Sequence, residues 1–397
     1  MQTRTQILLL AIVMGLTAVG TAAVETEKLV SSIDTLKSYK YGNSGGVDLR
    51  WVETQVGMAS KDPSIRGQIE QKLIESLSAA TTNDAKQLLC RQLRTIGTEK
   101  AIPQLESMLT DPEISHMARY ALSRIDAPEA GEALHRALKK TSGKVKAGII
   151  NTLVQVKYGR ALGDFMRLFG DSDKDVAIAA IRATGHFPCN SSVGALWKVR
   201  RSADKDIQVE IDAALLISAE VFLANDDKKR SAAIYEDFYS GNYPGHLRIA
   251  GLRGLAISQG AQAAPLIMDA IKGDDTDLQR SAIEFMTIVK GKDATNTFVS
   301  LLPSLQPEAQ VLVLRALGAR GDTAAARAVT AATRSEHESV RVAALEALSS
   351  VGNATSVLSL ARTAATAGES EKKVARASLE RRRDDEVKAV LIQSINS

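Results

Sequence analysis

Reactive side chains are scarce in this sequence, and their spacing argues against an active centre. Its two cysteines, Cys90 and Cys189, are far apart, and neither has a base and orienting partner at recognisable spacing. A thiol nucleophile needs both, so two small buried thiols are the expectation. The five histidines, His116, His135, His186, His246 and His337, never pair at the three- or four-residue spacing that would put two ligands on one helix face. Asp171-Ser172-Asp173-Lys174-Asp175 opens like a calcium loop, but Val176 and Arg182 stand where that loop needs Gly and Glu. An acidic turn capping a following helix is the better reading. No phosphate-cradling loop, nucleophile elbow or zincin motif is present. No catalytic residue, metal or cofactor is therefore expected.

The richest cluster for recognition is aromatic and basic. Tyr235, Phe238, Tyr239 and Tyr243 follow Lys228-Lys229-Arg230 within a short stretch. Tyrosine offers large contact area at small entropic cost and is enriched at protein interfaces. These residues are the candidate partner-binding site, although packing of a longer helix into the stack is the favoured role for the aromatic ones.

The elements that position them come from a repeat. Stepping by 31 residues from Leu122 reaches Leu153, Thr184 and Leu215; one step of 40 reaches Leu255, and steps of 31 then give Met286, Leu317, Leu348 and Leu379. Leu93 begins the series 29 residues before Leu122. Four positions before each lie small or apolar residues: Ala118, Ile149, Ala180, Ile211, Gly251, Ala282, Val313, Ala344 and Ala375. Each unit has room for two helices of about three turns. Ser339 to Leu348 shows the spacing of an amphipathic helix. Val351-Gly352-Asn353 should end it with a left-handed residue. Pro103 and Pro265 fall in the first turn of the second helix, where a missing N–H costs little. Trp197 shares a second-helix register with Met166, Met268 and Val299 and is expected in the core.

The prediction is an all-α protein, an α-solenoid of about nine to ten helix pairs with an N-terminal helical cap. Residues 24–80 form the cap, with helical stretches at Thr26 to Lys37, Leu49 to Met58 and Ile65 to Ala79. Residues 81–397 form the array, with an insert near 223–244.

Ser339 to Gly352, Val311 to Gly321 and Leu247 to Gly260 resemble HEAT repeats, specifically the short phycobilisome-lyase-type class. Residues 86–153, with Leu88-Leu89-Cys90-Arg91-Gln92-Leu93 and Met117-Ala118-Arg119-Tyr120-Ala121-Leu122, resemble exported HEAT-repeat proteins of planctomycete- and verrucomicrobia-type bacteria. That resemblance implies a binding array and transfers no catalytic residues. It also raises two alternatives, a lyase-like enzyme and an accessory subunit of an exported sugar-degrading or redox complex.

The first residues carry an address. Arg4, an apolar run from Ile7 to Leu16 and small residues up to Ala23 read as a secretory signal at 1–23, cleaved near Ala23. A periplasmic or secreted location follows, with no membrane span in the mature chain; an uncleaved anchor is the alternative. The whole chain of 397 residues is 45% apolar and 24% charged, with 50 basic against 46 acidic residues. Such a balance gives no reason to expect a nucleic acid. A protein partner is the expectation.

Two ladders bear on the surface. Arg253, Glu284, Arg315 and Glu346 alternate in sign from unit to unit, as an ion-pair ladder would. Lys146, Arg248, Arg341 and Lys372, mixed with Gln208, Gln279 and Gln310, would line a weakly basic groove or a solvated helix face.

Overall fold

The computed structural model describes residues 26–382 and 392. The signal expected at 1–23 lies outside the described residues. Helices α1 (26–35), α2 (Leu49–Ala59) and α3 (Pro63–Ser78) fill the three stretches read as helical before the repeats. Asp48 and Asp62 cap α2 and α3, each accepting backbone N–H bonds from the first turn.

Repeats then follow as successive helix pairs, first helices even and second helices odd. The pairs are α4 (Asn83–Ile96) with α5 (Ile102–Ser107), α6 (Ser115–Leu122) with α7 (Pro128–Leu138), and α8 (Gly143–Gln155) with α9 (Leu162–Arg167). Next come α10 (Lys174–Gly185) with α11 (Asn190–Arg200), α12 (Lys205–Ala224) with α13 (Lys228–Ser240), and α14 (Gly245–Gln259) with α15 (Ala264–Lys272). The last are α16 (Thr276–Phe285) with α17 (Lys292–Val299), α18 (Pro307–Arg320) with α19 (Ala326–Ala332), and α20 (Glu338–Val351) with α21 (Ala354–Thr366), before α22 (Glu369–Arg381). No strand is present among the described residues. The chain has the α-solenoid fold.

It divides into two compact units, the first ending at Ile217 and the second beginning at Ser218. In the first, α4 packs on α6, α6 on α8 and α8 on α10, while α5 packs on α7 and α9 on α11. In the second, α14, α16, α18, α20 and α22 pack in sequence, with α15 on α17 and α19 on α21. Each unit buries one continuous apolar layer between its two rows of helices.

The repeat phase marks that layer. Leu93, Leu122, Leu153, Thr184, Leu215, Leu255, Met286, Leu317 and Leu348 are all 0% exposed. Thr184 satisfies its buried hydroxyl by donating to the Ala180 carbonyl at 2.8 Å. Twelve residues after the phase position comes a second ladder, Leu105, Leu134, Phe165, Leu196, Ile267, Phe298, Val329 and Leu360, each also 0% exposed. Trp197, Met166, Met268 and Val299 lie one residue beyond it and are half-buried. The expectation of Trp197 in the core is thus corrected to Leu196, because one residue turns a helical side chain by about 100°.

Capping follows the short polar residues. Asp173 accepts from the Asp175 and Val176 amides, as an acidic turn before α10 should. Pro103 and Pro265 stand in the first turns of α5 and α15. Gly352 departs from expectation: it is extended (φ −61°) rather than left-handed. Glycine is needed there for space, since a Cβ would lie 2.5 Å from the Leu348 carbonyl oxygen.

Candidate functional site

The nine extra residues of the insert lengthen one helix pair. α12 runs for 20 residues and α13 for 13. The N-terminus of α13 is held by Asp227, which accepts from the Arg230 amide at 3.1 Å and from the Arg230 guanidinium Nε at 2.6 Å. Both bonds favour the carboxylate and hold Asp227 below its ordinary range, the side-chain bond contributing most. Arg230 also stacks on Phe222 with its guanidinium 4.5 Å from the ring centroid.

The aromatic residues serve the α13–α14 contact. Tyr235 is 6% exposed and Phe238 0%. Gly254 faces the Tyr235 ring, and a Cβ on Gly251 would lie 2.7 Å from the Tyr235 carbonyl oxygen and the Tyr239 amide. These two glycines are what let a tyrosine-bearing helix approach α14. Tyr239 is half-buried and donates its hydroxyl to the Leu266 carbonyl at 3.2 Å; Tyr243 tilts against Phe238 with centroids 5.1 Å apart. Burial raises the Tyr235 and Tyr239 hydroxyls above their usual titration range, helped by nearby Glu220 and Asp269 respectively. Both stay neutral around pH 7. Tyr235 and Phe238 are therefore spent on the core, and Tyr239 and Tyr243 largely on the same packing.

The basic residues remain outside. Lys228, Lys229 and Arg230 are exposed, Lys228 pairing loosely with Asp226 at 3.4 Å. Lys228 and Lys229 reach a groove of about 730 Å³ between α13 and the end of α14, with Ala232, Glu236, Ile257, Gln259 and Gln262 in its walls. Ile257 is 38% exposed there. Sequence reasoning missed it. The same repeat position holds Thr95, Arg124, Gln155, His186 and Ile217 in earlier units, so an aliphatic residue there is no signal by itself.

Neither polar ladder forms a groove. Gln279 and Gln310 donate their side-chain amides to the Ile271 and Leu305 carbonyls at 2.7 and 2.9 Å, and Gln208 reaches the Arg200 and Ala203 carbonyls. Arg341 likewise donates to Ser335 and Glu336 carbonyls, each at 2.9 Å. Arg248 pairs with Asp275 at 3.3 Å and Lys146 with Asp171 at 3.9 Å. Where it is Gln208, Gln279, Gln310 or Arg341, this position closes the turn entering its helix, where the preceding helix leaves unpaired carbonyls. Among the described residues the alternating ladder forms one ion pair, Arg315–Glu346 at 3.9 Å.

The cysteines differ from each other. Cys90 is buried, and burial pushes its thiol up to about 12. Cys189 is only half-buried, which corrects the expectation of two buried thiols. Burial raises it, but hydrogen bonds from Ser191 and Ser192 outweigh that and bring it to about 7. Among the described residues, no group of three or more His, Cys, Asp or Glu is placed to hold a metal ion.

No protein-family model matches the chain, and comparison with curated proteins finds no match. Solved structures do. Kap121p bound to Ste12p is 14% identical over 90% of this chain and 45% of that one, with a TM-score of 0.52. Kap121p bound to Pho4p gives 14%, 90%, 45% and 0.51. Yeast importin-beta (Kap95p) is 11% identical over 84% of this chain and 53% of that one, with a TM-score of 0.44. The chain spans about half the length of these solved chains. Such identities speak for the fold alone, and the fold is that of a HEAT-repeat protein.

Proposed function

We propose that the chain is an exported, non-catalytic scaffold that holds a protein partner on its stacked helices. The observation that carries this reading is the α13–α14 groove. It combines exposed basic side chains, an exposed Ile257 and amide donors on a helix hairpin. An aliphatic anchor within a polar rim is the layout of a protein-binding surface. The repeated stack supports the same reading, since solenoids present long surfaces built from equivalent positions. Kap121p, whose fold is similar, is bound in its solved structures to Pho4p and to Ste12p. Export rests on the residues before Val24, whose pattern is that of a secretory signal.

The test is photo-crosslinking in the native host envelope, with a crosslinking side chain at Ile257 of tagged protein and mass spectrometry of what is captured. A reproducible protein partner, lost when Lys228 and Lys229 are both replaced by Gln, supports the scaffold. Capture no richer than that of an unrelated exported control sinks it. Recovery of the tagged protein with residues 1–23 intact in the cytoplasm removes the export half.

A further inference from the structure

We infer that the second helices of the first unit, α7, α9 and α11, form a docking face for an extended acidic segment of a partner protein. This rests on the scaffold reading and adds to it a second surface and the chemistry of its ligand.

Register defines the face. Residues three and four apart share one side of a helix, and here they are Gly163, Met166 and Arg167 on α9, and Gly194, Trp197 and Lys198 on α11. His135 and Arg136 hold the matching places on α7. The helices are neighbours: His135 Nε2 and Asp164 Oδ2 lie 2.5 Å apart across α7 and α9, and α9 packs on α11. Met166 and Trp197 are half-buried, giving an apolar floor flanked by exposed cations.

Charge selects the ligand. The chain as a whole is nearly balanced, yet the C-terminal ends of α7, α9 and α11 carry Arg136, Lys139, Lys140, Arg167, Lys198 and Arg201, with Asp164 the acidic residue among them. Arg136 pairs with Glu106 and Arg167 with Asp164. Lys139, Lys140, Lys198 and Arg201 are exposed and have no ion pair among the described residues. The corresponding positions to Arg136, Arg167 and Lys198 in the second unit are Asp269, Ser300, Ala331 and Arg362, so the basic strip is no general property of the repeat. Helix macrodipoles favour cations in a last turn, but they give no reason for the glycines one turn earlier.

Those glycines shape the face. Glycine is the poorest helix former after proline, yet Gly163 and Gly194 hold equivalent sites, and a Cβ built on either meets nothing within 4 Å. No packing contact calls for them. They leave shallow notches in which another main chain can lie close. Successive second helices at about 8–10 Å spacing put α7 and α11 roughly 20 Å apart, a span of about six extended residues. A peptide is favoured over a nucleic acid because Glu106, Glu132 and Asp164 interrupt the strip, and peptide carboxylates can be spaced to avoid them where phosphates cannot.

The test uses fluorescence anisotropy of the mature protein with a fluorescein-labelled Glu-Leu repeat peptide of about twelve residues. Its Gln-Leu counterpart and a single-stranded oligonucleotide serve as comparisons. The Glu peptide should bind about tenfold tighter than the Gln peptide, and Lys198→Gln with Arg201→Gln should remove most of that difference. Gly163→Phe with Gly194→Phe should abolish binding while leaving the thermal melt unchanged, since both side chains enter open space. Equal binding by either double variant, preference for the Gln peptide, or tighter binding of the oligonucleotide overturns the inference. The two readings fail separately. Envelope capture at Ile257 that survives Lys198→Gln with Arg201→Gln, with no peptide binding, ends this inference and leaves the scaffold. Peptide binding without envelope capture does the reverse.

Discussion

The ring of Tyr235 on α13 lies against Gly254 on α14 so closely that a Cβ at Gly254 would fall 2.2 Å from the tyrosine Cγ. Real carbon atoms never approach to that distance without something shifting. The contact involves the ring's inner atoms, so the tyrosine cannot swing only its tip away. Gly254→Ala should therefore destabilise the second unit by about 1–3 kcal/mol, the cost of overpacking, despite alanine's better helix propensity. Chemical denaturation checks the sign. A gain in stability would mean that α13 can back away from α14 at no cost.

Arg320 ties three elements of the second unit together. Its Nη1 donates to the Met286 and Val289 carbonyls at the end of α16, and its Nη2 to Thr295 Oγ1 at 2.8 Å and the Gly291 carbonyl at 3.2 Å. Thr295 in turn donates to Asp322 at 2.7 Å. Burial lowers the guanidinium's pKa, yet it stays charged at any working pH. Charge-assisted bonds of this kind contribute about 1.5–3 kcal/mol each where they replace water imperfectly. Shared carbonyls do not add fully, so Arg320→Ala should cost about 2–4 kcal/mol in total. Hydrogen exchange should accelerate first in the turn between α16 and α17. Arg320→Lys should recover little, because a single ammonium cannot reproduce the fork.

How far the sequence reached depends on which contacts repeat. The phase position was legible because nine units place one side chain each in the same environment, and periodicity averages over local accidents. Trp197 was misplaced by a single residue: Leu196 and Trp197 are both apolar, and composition alone cannot say which of two adjacent side chains points inward. For the aromatic cluster, packing was the favoured role, but the cause of that packing was not legible. Its burial depends on Gly251 and Gly254 in the following helix, and at the sequence level Gly251 was simply one small member of a ladder. Gln208, Gln279 and Gln310 likewise read as surface residues, since their bonds go to carbonyls of a turn whose path only the folded chain defines. The strip of Arg167 and Lys198 beside Gly163 and Gly194 was in the sequence throughout. It became a surface only once the second-helix register was shifted by one.

Cys90 and Cys189 should separate cleanly in an alkylation experiment. Cys189 titrates near 7 and is half-buried, with Ser191 Oγ 3.1 Å from its sulfur. Its rate with iodoacetamide should rise with a midpoint about pH 7, because the thiolate is the nucleophile. Replacing Ser191 and Ser192 together by Ala should carry the midpoint up toward the ordinary value of 9.0. Cys90, pushed to about 12, should react only when the chain unfolds. Equal rates for the two thiols in the folded protein at pH 7 would contradict the placement of both.

The contact between His135 and Asp164 makes a prediction about acid stability. The bond from His135 holds the Asp164 carboxyl below the usual 3.8, against burial that would raise it, with Arg167 and Lys139 adding to the lowering. A carboxyl whose folded value is depressed binds its proton more weakly in the native state than in the unfolded one. Stability from this group is then complete above 3.8 and is lost as the pH falls through the lower folded value. Asp164→Asn should remove that dependence, flattening the acid limb of a denaturation-midpoint profile while costing stability at neutral pH. The effect at pH 7 should be about 1–2 kcal/mol, the range for a partly buried charge-assisted bond after allowance for screening. A second acidic member of this neighbourhood, Glu106, is also held low, by Arg136 and by nearby Lys140 against burial. Both carboxyls are held low, so Glu106→Gln supplies the needed comparison. If Asp164→Asn leaves the acid limb as steep as before while Glu106→Gln flattens it, the α7–α9 contact is not what the acid breaks.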